Sequence, residues 1–73
     1  MRRELPVLDL HGITHRDVIS ELTNFYFWEG HADSIIITGK SIKMREIVEE
    51  WLMDNDYTFQ EDYKNFGRLK VYE

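Results

Sequence analysis

Leu8-Asp9-Leu10-His11-Gly12 alternates apolar and polar side chains and ends on a glycine, the pattern of a short strand running into a sharp turn. Successive strand side chains point to opposite faces. Leu8 and Leu10 are therefore expected on one face, Asp9 and His11 on the other. Twice the strand rise per residue puts the Cα atoms of Asp9 and His11 roughly 6–7 Å apart. A carboxylate beside an imidazole fixes the histidine tautomer and tunes its basicity. The same pattern also fits an edge strand whose outer face is merely solvated. Gly12 lets the backbone turn sharply or lets another group approach it closely.

Outward from that stretch, the strand is expected over about Pro6 to His11, after a short charged tail from Met1 to Glu4. Thr14 reads as an N-cap with Asp17 three residues on, a variant of the capping box. Val18, Ile19, Leu22, Phe25 and Tyr26 recur at helical spacing, which predicts an amphipathic helix from Thr14 to about Glu29, ended by Gly30. Ser34 to Thr38 contains the run Ile35-Ile36-Ile37 without alternation, as expected of a central parallel strand buried on both faces or nearly so. Gly39-Lys40-Ser41 follows and opens a second helix, in which Met44, Ile47, Val48, Trp51 and Leu52 form the cleanest apolar stripe in the chain. Trp51 on that stripe reads as core rather than as a ligand platform. Asp54-Asn55-Asp56 stops the helix. Tyr57 to Glu61 alternates again, with Tyr57 and Phe59 on one side. After a turn around Asn65-Phe66-Gly67, a last strand from Arg68 to Tyr72 turns Leu69 and Val71 inward and Arg68, Lys70 and Tyr72 the other way.

The order β-α-β-α-β-β implies a parallel first pair of strands joined by right-handed crossovers. With only two helices, the economical α+β arrangement is a two-layer sandwich: a four-stranded mixed sheet with both helices on one face. Open sheets of this kind place ligands beyond the C-terminal ends of their parallel strands. Those ends are His11-Gly12 and Thr38-Gly39-Lys40, so two polar, glycine-containing loops converge on one edge. Free N–H groups of residues 40 to 43 at the helix start form an anion site, reinforced by Lys40. A solvated lysine at a helix start is the other reading of Lys40.

Composition narrows the class. A chain of 73 residues is expected to be one domain over 1–73, burying about 60% of its unfolded surface. Hydrophobic residues at 42% and aromatics at 14% can fill such a core. There is no cysteine, which excludes a disulfide framework, a thiolate nucleophile and thiolate metal ligands. No apolar run approaches the ~20 residues that span a bilayer, so a soluble, cytoplasmic protein is the default expectation. The net charge of −5 argues against a domain built to wrap duplex nucleic acid non-specifically. The charges are uneven, however. Acidic residues crowd Glu46, Glu49, Glu50, Asp54, Asp56, Glu61 and Asp62, whereas basic ones gather at Arg2 and Arg3, at Lys40, Lys43 and Arg45, and at Lys64, Arg68 and Lys70. A local basic site on an acidic body fits this pattern.

Two sharper motif readings fail. Gly39-Lys40-Ser41 is not a P-loop, because that motif needs glycine five positions before Gly39 and the residue there is Ser34. His15 follows His11 by four residues across a turn rather than along a helix, and His31 is remote. With no cysteine, a zinc site is not expected.

Leu8-Asp9-Leu10-His11-Gly12 opening a β-α unit, then Ile36-Ile37-Thr38-Gly39-Lys40 before a second helix, resembles the small MutS-related (Smr) domain across essentially the whole chain. The resemblance implies the two-layer fold of the C-terminal domain of translation initiation factor 3, with sheet order 1-2-4-3. It also implies nicking or cleavage of nucleic acid, with RNA and ribosome-bound messenger among the family's substrates. The family's Asp-x-His cleavage motif maps onto Asp9 and His11, and its glycine-rich loop onto Thr38, Gly39 and Lys40. Two departures stand out: Ser41 replaces the last glycine of the usual Gly-Lys-Gly, and the late glycine-rich turn is reduced to Asn65-Phe66-Gly67-Arg68.

The resemblance thus implies an endonuclease, with RNA favoured over DNA, and the residue reading agrees with its mechanism, His11 as general acid or base oriented by Asp9. Asp9 and His11 would be catalytic, and Gly12, Thr38, Gly39, Lys40, Ser41, Arg68 and Lys70 would contact the phosphate backbone. No cofactor is expected, with a divalent metal left open. The competing classes are a non-catalytic module that binds RNA, a ribosome or a protein through the same edge, and a protein-interaction domain using exposed aromatics such as Phe27, Trp28 and Phe66.

Overall fold

A computed structural model describes residues 5–30, 33–62 and 67–72. In chain order they form β1 (Val7–Asp9), α1 (His15–Thr23) continued by a π-helical turn (Asn24–Trp28), β2 (Ser34–Ile37), α2 (Ile42–Asp54), β3 (Thr58–Glu61) and β4 (Arg68–Tyr72). The strands make one mixed sheet in the order β1-β2-β4-β3. β1 and β2 are parallel, with Val7 opposite Ile35 and Asp9 opposite Ile37. β4 runs antiparallel to both its neighbours, pairing Leu69 with Ile36 and Val71 with Phe59.

One sheet face and both helices build the core. Leu10, Ile36, Leu69 and Val71 from the sheet side are fully buried with Val18 and Leu22 of α1 and Val48 and Leu52 of α2. The α+β sandwich with both helices over one face is thus the observed fold. Its other sheet face is open, which corrects the reading of β2 as buried on both sides. Ile36 is buried, but Ile35 and Ile37 are only half-buried, because two helices suffice to cover a single face. The isoleucine run reflects the fit of β-branched side chains to a pleated sheet, not burial on both sides.

The helical stretch runs from His15 to Trp28, as the periodicity predicts, but its last turn is π-helical rather than α, and the reason lies in Glu29. Continued as an α-helix, the chain would place Glu29 four residues after Phe25, on the buried stripe. The wider turn from Asn24 to Trp28, closed by the Glu29 N–H on the Asn24 carbonyl at 3.0 Å, carries Glu29 off that stripe and leaves it exposed. Phe25 and Tyr26 stay buried, while Trp28 is 81% exposed. Gly30, at φ +73°, ends the element as expected. At the other end Thr14 occupies the N-cap position, but its hydroxyl donates to the Asp17 carboxylate at 2.9 Å instead of accepting a backbone N–H.

α2 begins later than expected. Ser41 is its N-cap, and the Ser41 Oγ accepts the Met44 N–H at 3.1 Å. Lys40 therefore lies outside the helix. The far end closes as a Schellman motif on Asp56, at φ +63°, where the Tyr57 N–H meets the Leu52 carbonyl at 2.9 Å and the Asp56 N–H meets that of Met53 at 3.2 Å. Aspartate tolerates this left-handed corner better than most residues. Because Ser41 satisfies a helix-start donor, Ser41→Ala is expected to cost about 1 kcal/mol of stability. Urea denaturation checks this through a lower midpoint at unchanged slope.

Aromatic stacking joins the helices where the sheet gives out. Trp51, 8% exposed, stacks on Tyr26 at a centroid distance of 5.7 Å and on Tyr57 at 6.0 Å, and Phe27 closes the group at 5.6 Å. The buried Tyr26 hydroxyl is hydrogen-bonded to the Ser34 Oγ at 2.6 Å, which satisfies the two polar groups in an apolar setting. Burial pushes the Tyr26 hydroxyl up to about 12, against the opposing effect of the Ser34 bond. On α2, burial and the neighbouring Glu61 raise the Glu49 carboxyl above its ordinary range, with Arg45 acting the other way. No helix among the described residues is long and apolar enough to cross a membrane.

Candidate functional site

The strand-end edge is built from three loops, and its first corner is the turn after β1. The Asp9 carboxylate accepts the His11 backbone N–H at 2.9 Å, an aspartate turn that bends the chain out of the strand. The Leu10 N–H still reaches the Ile37 carbonyl at 2.8 Å, and the Ile13 N–H then closes on the Leu10 carbonyl at 3.0 Å. His11 and Gly12 are the two corners of that turn, and Gly12 takes φ +83°, the sign a type II turn demands there. This corrects two expectations. β1 ends at Asp9 rather than His11, and the two polar side chains do not share a strand face, because alternation stops where the aspartate turn begins.

The second loop, from Thr38 to Lys40, follows β2. Gly39 has φ +71°, a conformation that glycine reaches without strain. The His11 ring edge lies directly beside it: a Cβ on Gly39 would stand 3.4 Å from the His11 Cδ2. The third loop enters through Gly67. Its carbonyl accepts the Thr38 N–H at 2.7 Å and the Gly39 N–H at 3.3 Å, and a Cβ there would come within 3.0 Å of the Gly39 carbonyl oxygen. A side chain at position 67 would therefore press on the Gly39 backbone, which would have to shift by a few tenths of an ångström to admit it. His11 and Gly67 are thus both neighbours of Gly39, although the three stand far apart in the chain. Gly67→Ala is expected to destabilise the fold by about 1–3 kcal/mol, the usual range for overpacking. It should also shift the His11 and Gly39 amide resonances in a heteronuclear NMR spectrum, while those of α1 stay in place.

Each residue expected at the site can now be placed. Asp9, His11, Gly12, Lys40 and Ser41 are exposed. Thr38 is 3% exposed, with its hydroxyl directed at the carbonyls of Gly39 and Gly67. It ties the loops together instead of presenting a free hydroxyl to a ligand. Ser41 caps α2, so its Oγ already has a donor. The free helix-start donors are narrowed to those ahead of Met44, with Lys40 just outside the helix. Arg68 follows Gly67 directly and pairs with Ile37, and Lys70 pairs with Ile35. Both cations lie on the open sheet face with Asp9, as the alternation of β4 predicts.

No protein-family model, curated protein or solved structure matches this chain. The site is therefore read from its own geometry. Among the described residues, no three histidine or carboxylate side chains come together as metal ligands. A shallow hollow of about 320 Å³ is lined by Ser20, Glu21, Thr23, Asn24 and Trp28, all from α1 and its π-helical turn and none from the three loops. What the loops form is an exposed edge with an imidazole, a lysine and an arginine around close-packed glycines. Such an edge suits an extended polyanion better than an enclosed small molecule.

Sequence reading missed the roles of Gly67 and Ser41. A serine immediately before an apolar helical stripe is the usual cap signal and could have assigned Ser41. Nothing local marks Gly67 as the partner of Gly39, since that contact forms only when β4 inserts beside β2. Arg2, Arg3, Lys64, Asn65 and Phe66 lie outside the described residues.

Proposed function

We propose that this chain is an Smr-like endonuclease that cleaves cytoplasmic RNA, ribosome-bound messenger included, at the edge formed by His11, Gly39 and Gly67. One observation carries the reading: an exposed imidazole lies beside the glycine loop that leads into α2, with Lys40 next in the chain to Gly39 and Arg68 next to Gly67. Backbone donors at a helix start and a lysine hold a phosphate and stabilise the charge that develops on it. The RNA 2′-hydroxyl attacks the adjacent phosphorus and the bond to the 5′ oxygen breaks, leaving a 2′,3′-cyclic phosphate and a 5′-hydroxyl. His11 takes the 2′-hydroxyl proton, or in its protonated form delivers one to the departing 5′ oxygen, and water exchanges the other. Asp9 holds the turn that presents His11.

The test is an assay of the purified protein on labelled single-stranded RNA and on supercoiled plasmid. RNA cleavage that survives EDTA supports the reading, and its loss in EDTA would require a metal, with Asp9 as a ligand candidate. Lys40→Ala is expected to weaken RNA binding and reduce the salt slope by about 0.7, the release expected for one phosphate contact on a single strand. An unchanged slope in fluorescence anisotropy titrations would leave Lys40 as a solvated surface residue.

A second reading draws on the Asp9 hydrogen bond. Its carboxylate accepts the backbone N–H of His11, a turn-forming role that needs no chemistry. This favours a non-catalytic module that binds RNA, a ribosome or a protein through the same edge. RNA binding without cleavage would establish it.

A further inference from the structure

The least sheltered apolar side chain among the described residues is Trp28, 81% exposed. Its neighbour Phe27 closes on Trp51, but Trp28 joins none of the ring contacts among the described residues. Long side chains of a helix lean back toward its N-terminus. Trp28 accordingly lines the hollow over the preceding turns, together with Ser20, Glu21, Thr23 and Asn24. The π-helical turn that carries it is a feature often found at functional sites. From His15 to Glu29 the chain holds three carboxylates, Asp17, Glu21 and Glu29, against one guanidinium, Arg16, with His15 as the other basic group. Asp17 takes the Thr14 hydroxyl at 2.9 Å, and Glu29 takes the Asn24 side-chain N–H at 3.2 Å. Glu21, on the hollow itself, enters no ion pair among the described residues, and neither does Arg16. An uncovered indole thus stands beside a carboxylate that no described cation contacts.

We infer that this hollow docks an arginine side chain from a basic, arginine-rich segment of a partner protein, at a surface separate from the His11 edge. Indole is the best aromatic acceptor for a cation, because its ring face carries negative potential. A guanidinium is planar, so it stacks on the Trp28 ring while its edge donates to the Glu21 carboxylate. The compact, strongly hydrated ammonium of lysine lacks that planar fork. The Ser20 and Thr23 hydroxyls on the same wall supply further acceptors. Charge complementarity fixes the class of occupant. A nucleic acid would bring phosphates to these carboxylates, and a second copy would bring another net charge of −5, so both are repelled. A basic segment is attracted by the whole body, and its further arginines meet Asp17, four residues before Glu21, and Glu29, joined to the hollow through Asn24. Tryptophan and arginine are also the residues in which protein interfaces concentrate their binding energy.

The probe is a fluorescent peptide alternating arginine and glycine, titrated into the full chain, with matched peptides in which lysine or the neutral isostere citrulline replaces arginine. The arginine peptide is expected to bind most tightly, the lysine peptide several-fold more weakly and the citrulline peptide not measurably. In heteronuclear NMR it should move the Trp28 indole N–H and the amides of Ser20, Glu21, Thr23 and Asn24, with the Trp51 indole N–H in place. Trp28→Ala should cost roughly tenfold in affinity and Trp28→Phe less. Glu21→Gln should cost several-fold and flatten the salt dependence. Both side chains are exposed, and an unchanged thermal midpoint shows that each variant is folded. Equal binding of the citrulline peptide would make the contact apolar and overturn the cation site. Shifts confined to Glu46, Glu50 and Asp54 of α2 would overturn it, as would no binding at all or an affinity unchanged in Trp28→Ala. An indole signal that moves on dilution of the chain alone would assign the hollow to a second copy. One that moves in Arg2→Ala or Arg3→Ala without peptide would assign it to the chain's own arginines. Either result overturns the partner segment.

Discussion

Replacing His11 by alanine is expected to lower RNA cleavage by roughly 10²–10⁴-fold while leaving RNA affinity within a few-fold, the signature of a lost proton transfer. The side chain is exposed, lies beside the Gly39 loop and takes no part in the hydrophobic core. Its removal therefore leaves the core intact, and the thermal midpoint should hardly move. Single-turnover cleavage with trace labelled RNA separates the two quantities, because affinity is read from the concentration dependence and chemistry from the plateau. Asp9→Asn divides the roles of its partner. The amide oxygen can still accept the His11 N–H, so the turn survives, and a fall in rate would show that the Asp9 charge itself acts in the step. A plateau rate unchanged in His11→Ala would remove His11 from the chemistry and return the edge to a binding role.

Trp51→Ala is expected to cost about 3–5 kcal/mol, the range for deleting a large buried aromatic. That is a large share of the 5–15 kcal/mol typical of a whole domain. Trp51 joins Tyr26, Phe27 and Tyr57 in one stack, so its removal unsupports α1, α2 and the approach to β3 together. Those rings lose both apolar burial and their favourable mutual orientations. Chemical denaturation of wild type, Trp51→Ala and Trp51→Phe checks this, with the phenylalanine variant falling between the other two. A loss under about 1 kcal/mol, the scale of an ordinary surface change, would mean that the stack does not close the core.

Much of this molecule is legible in local chemistry. The apolar stripe of α2 announced its buried face, and Met44, Val48, Trp51 and Leu52 are all buried. The alternation of Arg68 to Tyr72 separated Leu69 and Val71 from Arg68, Lys70 and Tyr72, because a two-residue period allows no other division. The glycines at positions 12 and 39 marked the two loops that follow parallel strands, and both adopt positive φ. These features depend on periodicity and on the steric freedom of single residues, and a sequence carries both.

Other features required partners distant in the chain. Whether Ile35 and Ile37 lie in a core or on an open face depends on how many helices cover the sheet, which three consecutive isoleucines cannot reveal. α1 turns into a π-helical turn because a straight α-helix would drive Glu29 toward the buried stripe, a conflict visible only once the stripe has a core to face. The Asp9 carboxylate turns to the His11 backbone N–H because the chain bends there, whereas the residue pattern alone suggested two side chains on one strand face. The approach of Gly67 to Gly39 comes from the antiparallel insertion of β4 beside β2. The sequence by itself thus determined the elements, their inward faces and the two loops that meet at the edge. Tertiary structure alone decided which sheet face stays open and how closely three loops pack, because both depend on contacts between segments that no local pattern encodes.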